Sequence, residues 1–356
     1  MNQVIKVRLE VTTPVHISSG KDILSHEYVI KDNIFYRFSL QKFVKGLSAS
    51  DRESFLKEIA KDNKPFYIRR FIHSFVLDHM DDILFDYRAE VSKKGGEVDG
   101  RFVENLISSI YDQNFKGNSF QGSNSLIIKE FVGVHGKKYI PGSSIKGAIR
   151  TALINEIFSK DYSLLTSGGS NIPNDYFKDL IITDSNLFNE GLFITAINRT
   201  SKNNFVEALK EGTSCEFMIK IRSDKHFKKD DMIKAMNAYA IKELNYYIPR
   251  LMDVNNMLLK KSTKMHQKKH EKNCTIINQF ENILSLVKEC QNDEFYMNLG
   301  FGGGAIFKTV EESVSNRKRL FTSRMDKLGL GSLEIPRTCS LIEGSVMGWV
   351  KCKIIG

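Results

Sequence analysis

Residues 139–153 read Tyr139-Ile140-Pro141-Gly142-Ser143-Ser144-Ile145-Lys146-Gly147-Ala148-Ile149-Arg150-Thr151-Ala152-Leu153, and they specify a turn followed by a short amphipathic helix. Pro141-Gly142 punctuates the chain. Ser143 or Ser144 offers a side-chain oxygen to the first backbone N–H groups of a helix. Ile145, Ala148, Ile149, Ala152 and Leu153 recur at helical spacing and form one stripe that faces a core. Lys146 and Arg150, four apart, share another face. Gly147 between them leaves room for a close approach. Free N–H groups, the positive end of the helix dipole, two hydroxyls and two cations together suit a phosphate. A capped helix with solvated cations has the same pattern, so the residues alone leave both readings open.

The composition favours an anionic partner. The 356 residues carry 52 Lys and Arg against 42 Asp and Glu, a formal charge of +10. The charges are mixed along the chain, as in a folded basic protein rather than a basic tail, which directs attention to nucleic acid or an anionic membrane surface. No apolar run is long enough to span a bilayer. The start, Met1-Asn2-Gln3-Val4-Ile5-Lys6, opens a strand pattern and lacks a signal-peptide layout. The cysteines (Cys215, Cys274, Cys290, Cys339, Cys352) are scattered, odd in number and without a CxxC pair. A zinc site or disulfide framework is not expected, and a reducing, cytoplasmic location fits.

Ile5, Val7, Leu9 and Val11 alternate with charged residues in a half-buried strand that runs into Thr13-Pro14-Val15-His16-Ile17. Tyr28 to Phe38 reads as a hairpin turning at Lys31-Asp32-Asn33. Ser39 is placed to cap a helix, Ser50-Asp51-Arg52-Glu53 forms a capping box, and Pro65 opens a helix carrying Arg69, His73 and Val76. A further helix is expected over 102–111 and a strand over 126–134. Ser167-Gly168-Gly169-Ser170-Asn171 has linker composition. Beyond it, strands are expected over 180–183, 192–198 and 213–221, a long helix over 229–260 interrupted at Pro249, an amphipathic helix over 275–289, and a closing strand from Gly348 to Ile354.

Each remaining motif supports two readings. The loop Gly300-Phe301-Gly302-Gly303-Gly304 either turns backbone N–H groups toward a phosphate or is a tight turn. It lacks the Gly-Lys-Ser/Thr of a P-loop. His16 is equipped for acid–base work on a ribose hydroxyl, and equally for a hydrogen bond at a sheet edge or an RNA contact without chemistry. Lys260 to Lys272 holds six lysines, two histidines and one Glu without a regular apolar stripe, as either a phosphate-binding segment or a solvated loop. His266 and His270 lack the motif of a metal site. Phe35, Tyr36, Phe38, Phe295, Tyr296 and Phe301 are stacking platforms if exposed and core if not.

Three of these stretches, in this order, resemble the RAMP superfamily of CRISPR systems: the first strand running into Thr13-Pro14-Val15-His16-Ile17, the Ile140-Pro141-Gly142-Ser143-Ser144-Ile145-Lys146-Gly147 block with Arg150, and the loop 300–304. The late position of that block, the chain length, Asp184-Ser185 and Pro336 are most similar to the subunit that caps the crRNA 3′ end in the type III-A Csm effector complex. Ser18-Ser19 departs from the family's usual glycine. The resemblance implies an α+β fold of tandem ferredoxin-like (RRM-like) domains. Residues 1–165 would form the first, with a helical insertion over about 50–125, and 172–356 the second. It implies a non-catalytic crRNA-binding subunit that supports crRNA maturation and complex assembly. The implied RNA contacts are His16, Gly142, Ser143, Ser144, Lys146, Gly147, Arg150, Gly300, Gly302, Gly303 and Gly304. The implied partners are crRNA, the other Csm subunits (above all the repeated backbone subunit) and host nucleases that trim the guide. No cofactor, metal or membrane is expected. The alternative is a metal-independent crRNA-processing endoribonuclease using His16; a target-cutting backbone subunit would have to rely on Asp22.

Overall fold

A computed structural model of the chain describes residues 3–61, 65–92, 127–158, 177–188, 190–198, 204–260, 264–308 and 339–356. The strands are β1 (Gln3–Val11), β2 (Ser18–Ile23), β3 (Tyr28–Lys31), β4 (Ile34–Arg37), β5 (Tyr87–Val91), β6 (Ile128–Phe131), β7 (Gly133–Val134), β8 (Lys137–Lys138), β9 (Leu180–Ile182), β10 (Leu192–Asn198), β11 (Asn204–Leu209), β12 (Ser214–Ile221), β13 (Glu294–Asn298), β14 (Leu341–Ile342), β15 (Ser345–Val346) and β16 (Trp349–Ile354). The α-helices are α1 (Leu40–Gly46), α2 (Ala49–Lys61), α3 (Pro65–Asp78), α4 (Gly142–Glu156), α5 (Lys229–Leu259) and α6 (Lys264–Lys288). This is a mixed α and β chain, as the sequence implies.

Contacts group the chain into two units, each assembled from separated segments. Unit 1 is Met1–Ile17, Tyr139–Phe188 and Lys210–Gly356; unit 2 is Ser18–Lys138 and Asn189–Leu209. This grouping differs from the sequential division expected at 165/172, and strand pairing gives the reason. The first strand lies between strands from the far half of the chain, with Leu9 opposite Cys215 of β12 on one side and Cys352 of β16 on the other. The linker-like residues 167–171 are outside the described residues.

Unit 1 holds a five-stranded sheet in the order β13-β16-β1-β12-β9. The period-two pattern of β1 buries Ile5, Val7, Leu9 and Val11 and leaves Lys6, Arg8 and Glu10 exposed. Taken in chain order, β1, α4, β9, β12, α5 and β16 trace a β-α-β-β-α-β connectivity. One such pattern is present; a second copy is not traced among the described residues. β13 lies beyond β16, and α5 closes that edge. Asn237 Nδ2 donates to the Glu294 carbonyl at 2.9 Å, and its Oδ1 accepts from the Tyr296 N–H at 3.1 Å. Such cover keeps an edge strand from pairing with another chain.

Helices α5 and α6 pack antiparallel. Tyr247 meets Phe280 at 5.1 Å between ring centroids, and Asn255 Nδ2 donates to Cys274 Sγ at 3.1 Å. Leu244, Leu251, Ile276, Ile283 and Val287 fill the seam. The helix runs through Pro249 rather than stopping there. The basic segment Lys260 to Lys272, read either as a phosphate-binding segment or as a solvated loop, is helical from Lys264 onward.

Unit 2 carries strands in the order β2-β6-β11-β10-β5-β4-β3. The expected hairpin is β3–β4, and its two-residue turn holds Asp32 and Asn33 at φ 53° and 60°, the left-handed pair that a tight hairpin requires. Alternate residues of β3 face opposite ways. Val29 packs with Phe38, Phe43, Phe55, Ile72 and Val76 under α1–α3, while Tyr28 and Ile30 join a second cluster with Phe35, Ala89 and Ile194. Of the expected helical insertion, α2 and α3 are present and are followed by strand β5; the helix expected at 102–111 lies outside the described residues. The cap of α2 is Ser48, whose Oγ accepts from the Asp51 N–H at 3.1 Å, rather than Ser50. Ser39 precedes α1 without a side-chain capping bond.

Candidate nucleic-acid interface

Every residue expected to touch RNA falls in unit 1. The Pro-Gly turn and α4 are held by the segment that follows β9. Ile140 N–H donates to Ser185 Oγ at 2.9 Å, Ser185 N–H returns a bond to the Ile140 carbonyl at 3.0 Å, and Gly142 N–H donates to Asp184 Oδ1 at 2.8 Å. A Cβ on Gly142 would stand 2.5 Å from the Ile182 carbonyl oxygen and 2.7 Å from that of Thr183. Gly142 is therefore required by close backbone packing. The helix also starts earlier than a cap at Ser143 or Ser144 implies, by two or three residues. Pro141 is the N-cap, and neither Ser143 nor Ser144 makes a capping bond. The anion at this helix terminus is the chain's own Asp184.

The two cations are less open than expected. Lys146 Nζ donates to the carbonyls of Phe177 and Leu180 at 2.9 and 2.6 Å, tying α4 to the approach of β9. The Arg150 guanidinium lies 5.0 Å from the centre of the Phe177 ring, a cation–π arrangement. Both side chains are half-buried. Ser143 and Gly147, four residues apart, are exposed, and among the described residues no atom beyond the helix's own backbone lies within 4 Å of a Cβ placed on Gly147. The stripe opposite is core: Ile145, Ile149, Ala152 and Leu153 are fully buried.

The glycine-rich loop is a packed turn against the end of the first strand. Phe301 N–H donates to the His16 carbonyl at 2.8 Å. Gly300 has φ +71°, and a Cβ there would lie 2.2 Å from that carbonyl oxygen. Added Cβ atoms on Gly302 and Gly303 would meet Met347 Sδ at 2.5 Å and the Asn298 side chain at 2.1 Å. Gly302, Gly303 and Gly304 are buried. The loop and the His16 stretch lie against each other, and the glycines serve close packing. His16 is 2% exposed, and Phe301, its edge-on ring neighbour, is 42% exposed. Of the other aromatic candidates, Phe35, Phe38, Phe295 and Tyr296 are core and Tyr36 is half-buried. Ala148 of α4 and Asn298, just before the loop, line one small cavity with Tyr239 and Trp349.

The sheet face of β1 bearing Lys6 and Arg8 is ionic. Lys6 and Arg8 share Glu216 at 2.7 and 3.4 Å, and Lys351 and Lys353 share Glu294 at 3.0 and 3.4 Å. Hydrogen bonding from Lys6 is the main cause holding the Glu216 carboxyl below the usual range. Lys353 also lies 4.0 Å from Asp293, so this face is a network of paired charges. Sequence reasoning noticed Asp184 and missed its role, because only the fold shows that β9 ends beside the start of α4. Among the described residues no three metal-ligating side chains gather, and no helix is long and apolar enough to cross a membrane.

A family model described as the RAMP superfamily matches residues 8–308. The chain is 26% identical over 333 residues to the CRISPR system Cms protein Csm5 of Methanocaldococcus jannaschii, covering 86% of this chain and 72% of that protein. It is 26% identical over 227 residues to the Csm5 protein of Enterococcus italicus, covering 63% of this chain and 61% of the relative. A chain in the cryo-EM structure of a Csm–crRNA–target RNA ternary complex of a type III-A CRISPR-Cas system matches with a TM-score of 0.59 at 17% identity, covering 99% of this chain and 100% of that one. The crystal structure of T. onnurineus Csm5 matches with a TM-score of 0.53 at 16% identity, covering 96% and 99%. At these identities the structural matches speak for a shared fold.

Proposed function

This chain belongs to the RAMP superfamily, and we propose that it is a non-catalytic crRNA-binding subunit of a type III-A CRISPR effector complex. In that role it caps the 3′ region of the guide and supports crRNA maturation and assembly. The observation that carries the reading is the outer face of α4, where Ser143 and Gly147 leave backbone open to a partner. A glycine inside a helix costs about 1 kcal/mol relative to alanine, and among the described residues nothing outside the helix backbone lies within 4 Å of where its Cβ would stand. A sugar-phosphate chain passing there would meet a serine hydroxyl and the positive potential of Lys146 and Arg150, with recognition of backbone rather than bases. The relatives named Csm5 and the match within a Csm–crRNA–target RNA complex support the same role. The partners are then crRNA and the other subunits, the repeated backbone subunit above all, with host nucleases trimming the guide to the cap.

The endoribonuclease reading requires His16 to reach a ribose hydroxyl, and a side chain 2% exposed is poorly placed to do so. Asp22 is ion-paired with Lys129 at 2.7 Å across β2 and β6. The test is co-expression with the other subunits and a CRISPR array, followed by sequencing the ends of the copurified RNA. Gly147→Glu is expected to reduce loaded crRNA and alter its 3′ ends. Full loading with unchanged ends would overturn the proposal.

A further inference from the structure

We propose that Asn298 is a positioning residue for the glycine-rich loop, completed by one buried water that it shares with the indole of Trp349. Asn298 ends β13, just before the loop, and is 4% exposed. Its Nδ2 donates to the Met347 carbonyl at 3.1 Å. The amide occupies ground that two glycines leave clear. A Cβ on Gly303 would fall on it, 2.5 Å from Nδ2, and a Cβ on Gly348 would stand 3.0 Å from Nδ2 and 3.1 Å from Oδ1. Backbone bonds gather round it. Leu299 N–H donates to the Gly348 carbonyl at 2.7 Å, Gly348 N–H to the Pro14 carbonyl at 2.9 Å, and Ser340 N–H to the Gly302 carbonyl at 2.8 Å. The loop, the turn into β16 and the stretch leading to His16 therefore close on one side chain.

Space-filling alone does not require an asparagine here. A leucine has nearly the same outline and no polar group to desolvate, whereas a buried amide without its full set of bonds is costly. Asn298 Oδ1 and Trp349 Nε1 are both buried, and neither has a hydrogen-bond partner among the described residues. Both residues line the same small cavity, which is of the size that holds about one water. One atom accepts and the other donates. A water there accepts from the indole N–H and donates to the amide oxygen. Trp349 carries the link onward. Its carbonyl accepts the Thr12 and Thr13 N–H groups at 2.9 and 3.0 Å, and its backbone N–H donates to Thr13 Oγ1 at 2.9 Å. Ala148 forms another wall of the cavity, next in sequence to Gly147 on the exposed side of α4. Asn298 thus sets the loop against the end of β1 and beside the helix proposed to carry RNA.

The inference rests on the RNA-binding reading above, and the experiment separates the two. Wild type, Gly303→Ala and Asn298→Ala/Gly303→Ala are each co-expressed with the other subunits and a CRISPR array. Copurified crRNA is measured for each complex, and a melting curve for each purified chain. The methyl group at 303 collides with the amide, so Gly303→Ala is expected to melt lower than wild type. Removing the amide gives that methyl its place, so the double variant is expected to melt above the single. Its crRNA loading is expected to stay severalfold below wild type, because the loop has lost its anchor. A double variant that loads like wild type would make Asn298 a space filler and overturn the inference, leaving the α4 reading standing. A double variant no more stable than Gly303→Ala would overturn it as well. Wild-type complex that carries no crRNA overturns both. Trp349 is the only tryptophan, so its emission in the purified chain reads the water directly. A hydrogen bond from the indole to water shifts emission to the red, and Asn298→Leu is expected to shift it to the blue. Unchanged emission would overturn the shared water and, with it, the proposal as stated.

Discussion

Asp184 Oδ1 accepts the Gly142 N–H at 2.8 Å, so the N-terminus of α4 already holds a carboxylate. The dipole and the leading N–H group that would attract a phosphate are answered from within the chain. The proposed RNA path therefore runs along the exposed side of the helix at Ser143 and Gly147.

Replacing that carboxylate gives two readouts of opposite sign. Asp184→Ala removes a bond to the helix terminus and is expected to cost about 1 kcal/mol of stability, read as a lower melting temperature. It also removes a negative charge beside the proposed RNA path. RNA affinity is expected to rise at low salt, and the difference to close as salt screens it. A fall in affinity would show that Asp184 positions the site rather than merely filling the helix end.

The two glycines of the block predict contrasting outcomes. Gly142→Ala drives a methyl group into the Ile182 and Thr183 carbonyls, and overpacking of this kind costs about 1–3 kcal/mol. Gly147→Ala meets open space and is expected to stabilise the helix by about 1 kcal/mol. Thermal unfolding of the pair measures both. If Gly147→Ala raises the melting temperature while weakening crRNA loading, that glycine serves close approach by a ligand.

These contrasts mark how far the sequence could be read. Period-two burial identified β1 and β12, and the apolar stripe identified α4, because local patterning reports which face meets a core. The hairpin turn at Asp32-Asn33 was legible because few residues accept positive φ in tandem. What patterning could not supply was partnership across long separations. That β1 lies between β12 and β16, that Gly300 abuts His16, and that Lys146 reaches the Phe177 and Leu180 carbonyls all depend on tertiary closure. The serine cap failed for the same reason: a carboxylate forty-two residues away reached the helix end first.

Unit 2 should lose stability in mild acid through His73. Burial, then the neighbouring Arg69 charge, holds its imidazole down to about 4. Its folded value lies below the unfolded one, so the unfolded chain binds the proton more readily, and stability falls as pH drops from about 6.5 toward 4. The depression corresponds to about 3 kcal/mol when fully expressed. Melting temperatures of wild type and His73→Leu across that window are the check. The variant is expected to show a shallower fall, and parallel curves would rule out the assignment.

A buried charge pair sets the last prediction. Lys138 Nζ lies 2.8 Å from Glu207 Oε2, with side-chain exposures of 4% and 0%. Glu207 also accepts the Tyr87 hydroxyl and the Phe131 N–H, the latter at 2.7 Å. Burial pushes the Glu207 carboxyl up against the opposing pull of Lys138. Removing the lysine leaves a carboxylate without its cation, which costs about 3–5 kcal/mol, so Lys138→Met should be strongly destabilising. Glu207→Gln alone leaves the ammonium with Glu130 at 3.4 Å and the Phe131 carbonyl at 3.2 Å, and is expected to cost less than loss of the lysine. The double variant removes both charges while its amide still accepts from Phe131. It should therefore be more stable than the sum of the singles predicts, by about 1–3 kcal/mol. Calorimetry of the four proteins closes that cycle. Strict additivity would mean the two groups do not act as a pair, and would reassign the cost of each to its separate contacts with Tyr87 and the β6 backbone.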